Sequence, residues 1–228
     1  MNIFSELATL IFEKKCPLCF ATHLELDSRL GICLLCFAKL KSRRNIVNRG
    51  SIRVFAGSEF SPAISHIILA AKEGDNRFAR MLLAEYLSAA LKLATAENSV
   101  FLIPIPSRRA ADRARGFSHV IKLVKQLELL NNEVEFHVID CLRHSRKISD
   151  QSTLNIHERE LNMKGAFAIA EAELFRFNKI NLSKSPIFLV DDLVTTGSTV
   201  LAANRALKGV GIAVKGVLTS CATNGFTH

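Results

Sequence analysis

The sequence Pro186-Ile187-Phe188-Leu189-Val190-Asp191-Asp192-Leu193-Val194-Thr195-Thr196-Gly197-Ser198-Thr199 opens as an apolar run of strand-forming residues. An unbroken run of this kind is the pattern of a strand buried on both faces. Two adjacent carboxylates, Asp191 and Asp192, interrupt it, and a hydroxyl-rich loop follows, Thr195 to Thr199 with Gly197 in its middle. Beyond the loop, Val200 to Lys208 reads as a helix, with Leu201, Ala202, Arg205 and Ala206 at helical spacing. Strand, small loop and helix start together make an anion site. Backbone N–H groups and hydroxyls face the ligand, and the helix N-terminus adds partial positive charge. Glycine at 197 lets the backbone approach a ligand with no Cβ in the way. Phosphate is the ligand this loop predicts. The two carboxylates repel phosphate but accept hydrogen bonds from a vicinal diol. Loop and acid pair together therefore predict a ribose 5-phosphate. The competing reading is structural: Thr199 caps a helix and the aspartates sit in a solvated turn.

The chain has 228 residues, of which 49% are apolar, enough for one α/β core with a small appendage. No run of about 18 uncharged apolar residues occurs, so no membrane-spanning helix is expected. Met1 to Phe12 is partly apolar but carries Glu6 and lacks a basic start and a cleavage site. It reads as an amphipathic helix and not as a signal peptide, which predicts a cytoplasmic location. The net charge of +9 fits polyanionic partners as well as a generically basic protein. Lys39, Lys41, Arg43, Arg44, Arg49 and Arg53 share one stretch without an acidic residue, and Arg108, Arg109, Arg113 and Arg115 form a second cluster diluted by Asp112.

Four of the six cysteines form two C-x-x-C pairs, Cys16/Cys19 and Cys33/Cys36, with thirteen residues between the pairs. This is the spacing of a four-cysteine zinc ribbon, in which each turn aims two thiolates at one tetrahedral ion. A redox C-x-x-C is normally single and sits at a strand–helix junction, so the doubled motif favours a structural zinc. His23 is a competing ligand, but four cysteines already close the site. Cys141 and Cys221 lie in apolar runs and read as core residues.

Taken in order, residues 2–14 predict a helix and 15–40 the ribbon, which depends on metal for folding. Residues 41–53 read as a basic connector. Ile52–Ala56 is a candidate strand, Pro62–Lys72 and Arg77–Ala96 are helices, and Val100–Ile105 is a buried strand. A basic, mobile loop at Arg108–Phe117 leads to a helix at Ser118–Leu130 and a strand at Val134–Ile139. Leu142–Ser152 reads as loop, Ile156–Met163 as a short helix, Gly165–Ile169 as a short strand and Ala213–Cys221 as the closing strand. Strands alternating with helices predict an α/β fold with a mostly parallel sheet flanked by helices. Two units are expected, 1–45 for helix and ribbon and 46–228 for the main domain. In such sheets ligands bind at the carboxyl ends of the strands, where Asp191 falls.

Phe188 to Thr199 resembles the phosphoribosyl pyrophosphate (PRPP) motif of type I phosphoribosyltransferases, two acidic residues followed by Thr-Thr-Gly and a hydroxyl. The resemblance implies that Asp191 and Asp192 hold the ribose 2- and 3-hydroxyls. It also implies that Thr195, Thr196, Gly197, Ser198 and Thr199 cradle the 5-phosphate. More of the chain, in order, resembles the ComF family of competence proteins, the group that includes GntX. The matching features are the double C-x-x-C ribbon, Ile105-Pro106, Arg115-Gly116-Phe117, Gln151 with Glu158-Arg159 and Asn162, Gly165-Ala166-Phe167, and the PRPP loop. Two departures stand out. Ser118-His119 replaces the Asn-Gln pair expected after Arg-Gly-Phe, and Ala71-Lys72-Glu73 lacks the aromatic expected before Gly74.

The resemblance also implies Mg2+ with PRPP and two cations at the leaving pyrophosphate. Lys72 lies where phosphoribosyltransferases keep a pyrophosphate loop, and a cation there would neutralise leaving-group charge. A solvated surface lysine is the alternative. Arg115 sits in the loop that would close over pyrophosphate, whose oxygens suit an arginine fork. His66, His119, His137, His144 and His157 lack metal spacing and read as structural or exposed. The family implies a role in uptake of transforming DNA; the ribbon and the basic stretches add single-stranded DNA to PRPP as an expected partner, with a protein of the uptake machinery as the competing one. A transferase acting on an unidentified acceptor and a PRPP-sensing regulator are the alternatives.

Overall fold

The computed structural model describes residues 16, 19, 21–22, 32–40, 43–107, 109–145, 165–170, 173 and 185–224. The expected helices at 2–14 and 156–163 lie outside these residues, as do His23, Lys41, Arg108, Gln151, His157, Glu158, Arg159 and Asn162.

The elements follow in chain order as α1 (Leu34–Ala38), β1 (Asn45–Arg49), β2 (Ile52–Glu59), α2 (Pro62–Lys72), α3 (Arg77–Ala94), β3 (Ser99–Pro104), α4 (Arg109–Arg115) and α5 (His119–Leu130). Then come β4 (Glu135–Val138), β5 (Leu142–His144), β6 (Phe167–Ile169), β7 (Ile187–Val194), α6 (Ser198–Gly209) and β8 (Gly216–Ala222). The main sheet has the order β1-β2-β8-β7-β3-β4. Every neighbouring pair in it is parallel except β1 with β2. β5 and β6 form a separate antiparallel pair.

The apolar runs dictate this layering. Ile187 to Val190 are all buried, as expected of a strand covered on both faces. Successive side chains point to opposite faces, so Leu189 joins Val54, Ile103 and Val217 beneath α6. Phe188 and Val190 join Phe55, Leu102 and Leu218 beneath α2, α3 and α5. Helices therefore cover both sides of a mostly parallel sheet. α3 lies so close to β2 that a Cβ on Gly57 would fall 1.8 Å from the Tyr86 carbonyl oxygen. Helix starts are fixed locally. Ser61 accepts from the Ile64 N–H at 3.3 Å, and Asn76 accepts from the N–H groups of Phe78 and Ala79 at 3.0 and 2.9 Å.

Three segments differ from the sequence expectation. The basic connector contains a strand, β1, joined to β2 through Gly50-Ser51 with Gly50 at φ +54°. The basic loop at 108–117 contains α4. The loop expected at 142–152 begins with β5, which pairs with β6 from Leu142↔Ile169 to His144↔Phe167. Among the described residues no helix is long and apolar enough to cross a membrane.

Candidate functional site

β7 continues through the acid pair, so Asp191 and Asp192 stand on a strand and face opposite sides of the sheet. After Val194 the chain turns and α6 begins at Ser198, with Gly197 as N-cap at φ +86°. The cap is a left-handed glycine, so Thr199 is not the capping residue. Leu201 N–H donates to the Gly197 carbonyl at 2.9 Å. Ahead of that bond the Ser198 N–H donates to Thr196 Oγ1 at 3.5 Å, and the N–H groups of Thr199 and Val200 have no intrahelical acceptor. The hydroxyls of Thr196 and Ser198 meet at 3.0 Å. Donors from backbone and side chain thus converge at the carboxyl end of a central strand, and the dipole of a twelve-residue helix points at the same place.

The acid pair is asymmetric. Asp191 is half-buried, and its Oδ1 accepts from the Asp192 N–H at 2.9 Å. Asp192 is 3% exposed and forms an ion pair with Lys72, Nζ to Oδ2 2.7 Å, at the end of α2. His119, the first residue of α5, brings Nε2 to 3.4 Å from the same oxygen and is fully buried. Neither His119 ring nitrogen has a hydrogen-bond partner. Burial works to raise the Asp192 carboxyl, but the Lys72 charge and the contact with His119 outweigh it and hold Asp192 far below the usual carboxylate range. Burial and the neighbouring Asp192 charge push Asp191 up, and Lys72 offsets only part of this. Burial works to lower the Lys72 ammonium, and the two aspartates outweigh it, so its pKa is raised. One charged carboxylate and one cation are thus locked together on the side of β7 covered by α2 and α5, while the second carboxylate is pushed the other way.

Lys72 and Arg115, predicted separately, lie near each other. The Arg115 side chain, 9% exposed, forms ion pairs with Asp112 at 2.8 Å and Glu73 at 3.3 Å. Glu73 immediately follows Lys72. Arg115 Nε is buried without a partner. The other basic residues divide. Lys39, Arg43, Arg44, Arg53 and Arg113 are exposed, whereas Arg49 is buried. Arg49 leaves the set expected to meet a polyanion at the surface and joins the loop instead. Its Nε donates to the Thr195 carbonyl at 2.6 Å.

Sequence reasoning missed Arg49 and His119. Arg49 was hidden in a basic stretch. The signal that could have found it is Gly50-Ser51, a two-residue hairpin connection that places Arg49 at a strand end beside β2. His119 was marked only as a departure from the family pattern, and its contact with Asp192 was not legible because only the tertiary fold brings α5 to β7.

The four cysteines of the doubled motif form a second site. Their Sγ atoms all lie within 4.8 Å of one another. Sulfurs bound to one tetrahedral zinc at about 2.3 Å lie about 3.8 Å apart, and Cys19 and Cys33 Sγ are separated by 3.8 Å. The Cys33 N–H donates to Cys16 Sγ and the Cys36 N–H to Cys33 Sγ, each at 3.4 Å. Backbone donors of this kind orient thiolates around a metal. Burial and the adjoining thiols push Cys36 up to about 12, so the cluster crowds sulfurs that a cation would relieve. The residues fit a structural zinc. Cys141 and Cys221 are buried in the core, and burial pushes the Cys141 thiol up to about 12, as expected of inert packing residues.

Comparison with known proteins finds no family model that matches the chain and no curated protein similar to it.

Proposed function

We propose that this chain is a ComF-type protein with a phosphoribosyltransferase-like domain and a structural zinc, which binds PRPP or a related phosphorylated ribose and single-stranded DNA during DNA uptake. The observation that carries the ligand reading is the turn from β7 into α6. Gly197 in the left-handed conformation, the Thr196 and Ser198 hydroxyls and the first N–H groups of α6 follow directly on the strand that carries Asp191. Phosphate belongs on the first three and a ribose hydroxyl on the carboxylate. Mg2+ bound with PRPP supplies charge neutralisation at the pyrophosphate. The chain's own cations for that end are Lys72, held ready by Asp192, and Arg115.

PRPP with Mg2+ is expected to raise the melting temperature. A ligand at a hundredfold excess over its dissociation constant stabilises the native state by about 2.7 kcal/mol, which is about 5–10 °C in a chain of this size. Thr196→Val with Ser198→Ala removes the loop hydroxyls without touching the buried ion pair. A shift that survives intact in this double variant moves the ligand off the loop.

A second reading, a transferase acting on its own acceptor, is favoured by a cleft of about 180 Å³ at the carboxyl ends of β3 and β4. Pro104, Pro106, Ile121 and Leu142 supply apolar walls, and Ser107, Asp140 and His144 supply polar ones. PRPP-dependent release of pyrophosphate in the presence of mixed acceptors distinguishes transfer from binding.

The DNA reading rests on exposed Lys39, Arg43, Arg44 and Arg53. Binding through such residues releases counterions, so affinity is expected to fall steeply as salt rises. Sequence preference is expected to be weak, because the chain has no tryptophan and one tyrosine for base stacking. Arg43→Glu with Arg44→Glu is expected to weaken binding and flatten the salt slope while the PRPP-induced shift survives. The competing partner is a protein, and α1 offers it Leu34 and Leu35, 50% and 69% exposed. DNA affinity absent at low salt, or indifferent to the reversals, favours the protein.

A further inference from the structure

Arg49 ends an edge strand far in sequence from the anion loop and is 4% exposed. A charged side chain is rarely buried to this degree unless it is paired. The partners of Arg49 are neutral oxygens. Nε donates to the Thr195 carbonyl at 2.6 Å. Nη2 donates to the Thr223 carbonyl at 2.5 Å and the Thr223 hydroxyl at 3.3 Å. Nη1 donates to the Asn48 carbonyl at 3.1 Å. Among the described residues no carboxylate lies within ion-pairing distance of it. The guanidinium is satisfied as a donor but not neutralised as a charge.

Its position gives that charge a use. The alkyl stem lies flat against the turn at Gly197, where a Cβ would sit 2.6 Å from Arg49 Cβ and 2.8 Å from Cγ. Glycine at 197 is thus required twice, by its left-handed φ of +86° and by the arginine packed behind it. Pulled toward Arg49 and also accepting from the Thr223 hydroxyl at 3.3 Å, the Thr195 carbonyl is turned away from the ligand side of the loop. A loop with its carbonyl tied back presents donors to an anion and no opposing lone pair.

We infer that Arg49 is a positioning residue of the anion loop, holding its backbone from behind and supplying an unneutralised buried charge that selects a dianionic phosphate over a monoanionic one. This rests on the loop being a phosphate site and not on the ribose part of the proposed function. Burial weakens screening, so a unit charge acts across one layer of backbone with more force than it would at the surface. Lys72 does not substitute for it, because its charge is matched by Asp192.

The test measures binding of methyl phosphate and dimethyl phosphate to the full-length protein at pH 8, where the first is a dianion and the second a monoanion. Wild type is expected to prefer the dianion. In Arg49→Met, which keeps the stem and loses the charge, methyl phosphate is expected to bind about tenfold more weakly, the scale of one charge at intermediate dielectric. Dimethyl phosphate is expected to change much less, so the preference collapses. Arg49→Lys restores the charge but not the fork of donors, and is expected to recover the preference with part of the affinity. A merely structural arginine would weaken both probes equally. Equal loss of the two probes in Arg49→Met, or a lysine variant without the preference, overturns the proposal while leaving the loop a phosphate site. If Arg49→Met fails to fold, the lysine variant alone decides, since the preference must survive in it. Wild type that binds neither probe overturns the inference together with the phosphate loop. Wild type that binds methyl phosphate but not ribose 5-phosphate more tightly leaves the inference standing and removes the ribose reading.

Discussion

Asp192→Ala is expected to destabilise the unliganded protein by about 3 kcal/mol, the lower end of the cost of removing one partner from a buried ion pair, because the Lys72 side chain keeps 28% of its surface in solvent. The melting temperature is expected to drop by about 6–12 °C. Asp192 is the only carboxylate within ion-pairing distance of Lys72 among the described residues, at 2.7 Å, and lies beneath the fully buried His119. Taking it away leaves a partly buried ammonium whose remaining carboxylate neighbour, Asp191, is itself pushed up by burial. Urea titration of the variant measures the loss, and a change under about 1 kcal/mol, the range of exposed pairs, would mean the pair is solvated. The pH dependence carries the same signature. Asp192 is held below its unfolded pKa, so its contribution is complete above the ordinary carboxylate range and is lost as pH falls through and below that range. Asp191 is raised, so its contribution runs the other way, present in acid and lost as pH rises through its elevated folded value. Asp191→Asn is expected to abolish the second trend and keep the first.

Stripping the metal, or making Cys33→Ser, is expected to unfold the N-terminal segment while the sheet domain stays folded. The described core of that segment consists of Cys16, Ile32 and Cys33 with Cys36 and Leu40 against it, so three of its five members are proposed metal ligands. Structural zinc in small domains contributes about 10–16 kcal/mol of binding free energy, and that energy is their folding energy. The purified protein is expected to contain one zinc per chain. After chelation, proteolysis is expected to cut ahead of β1 and to spare the rest. A metal-free protein with an intact, protease-resistant N-terminus would contradict the zinc assignment. The sheet domain is expected to feel a small secondary effect, because Leu40 also packs against its core and accepts from the Tyr86 hydroxyl at 3.3 Å.

What the sequence made legible was local. Pro62–Lys72 is a helix with the expected ends because Ser61 and Pro62 mark its start in adjacent residues. β7 was legible because four consecutive apolar residues have no other place to go. The spacing of the cysteines carried their proximity, since two short turns bring four thiols together with few alternatives. β1 was not legible. It is short, exposed along much of its length and interrupted by Asn45 and Asn48, so its pattern matches that of a polar connector. The partners of Asp192 were not legible either, because Lys72 and His119 reach it only once two helices have docked on the same face of the sheet. Residue types alone therefore assigned two equivalent acids, and the fold made Asp192 a counter-ion to Lys72 and left Asp191 half-buried on the opposite side of the strand.

The order of the sheet has a consequence for how the protein is made. β8 follows every other described strand in the chain, yet it sits between β2 and β7 and is wholly buried. Without it, β1 with β2 and β7 with β3 and β4 are two ribbons with no hydrogen bond between them. A nascent chain cannot join its two halves until Ala222 has been synthesised, and the pieces that meet at the loop, Arg49 from one half and Gly197 from the other, stay apart until then. Parallel pairing over such sequence distances is slow and leaves apolar edges open in the interim. The packing of Arg49 against Gly197 therefore waits for β8 to pair on both sides, and the turn between β7 and α6 gains its backing only at the end of sheet assembly.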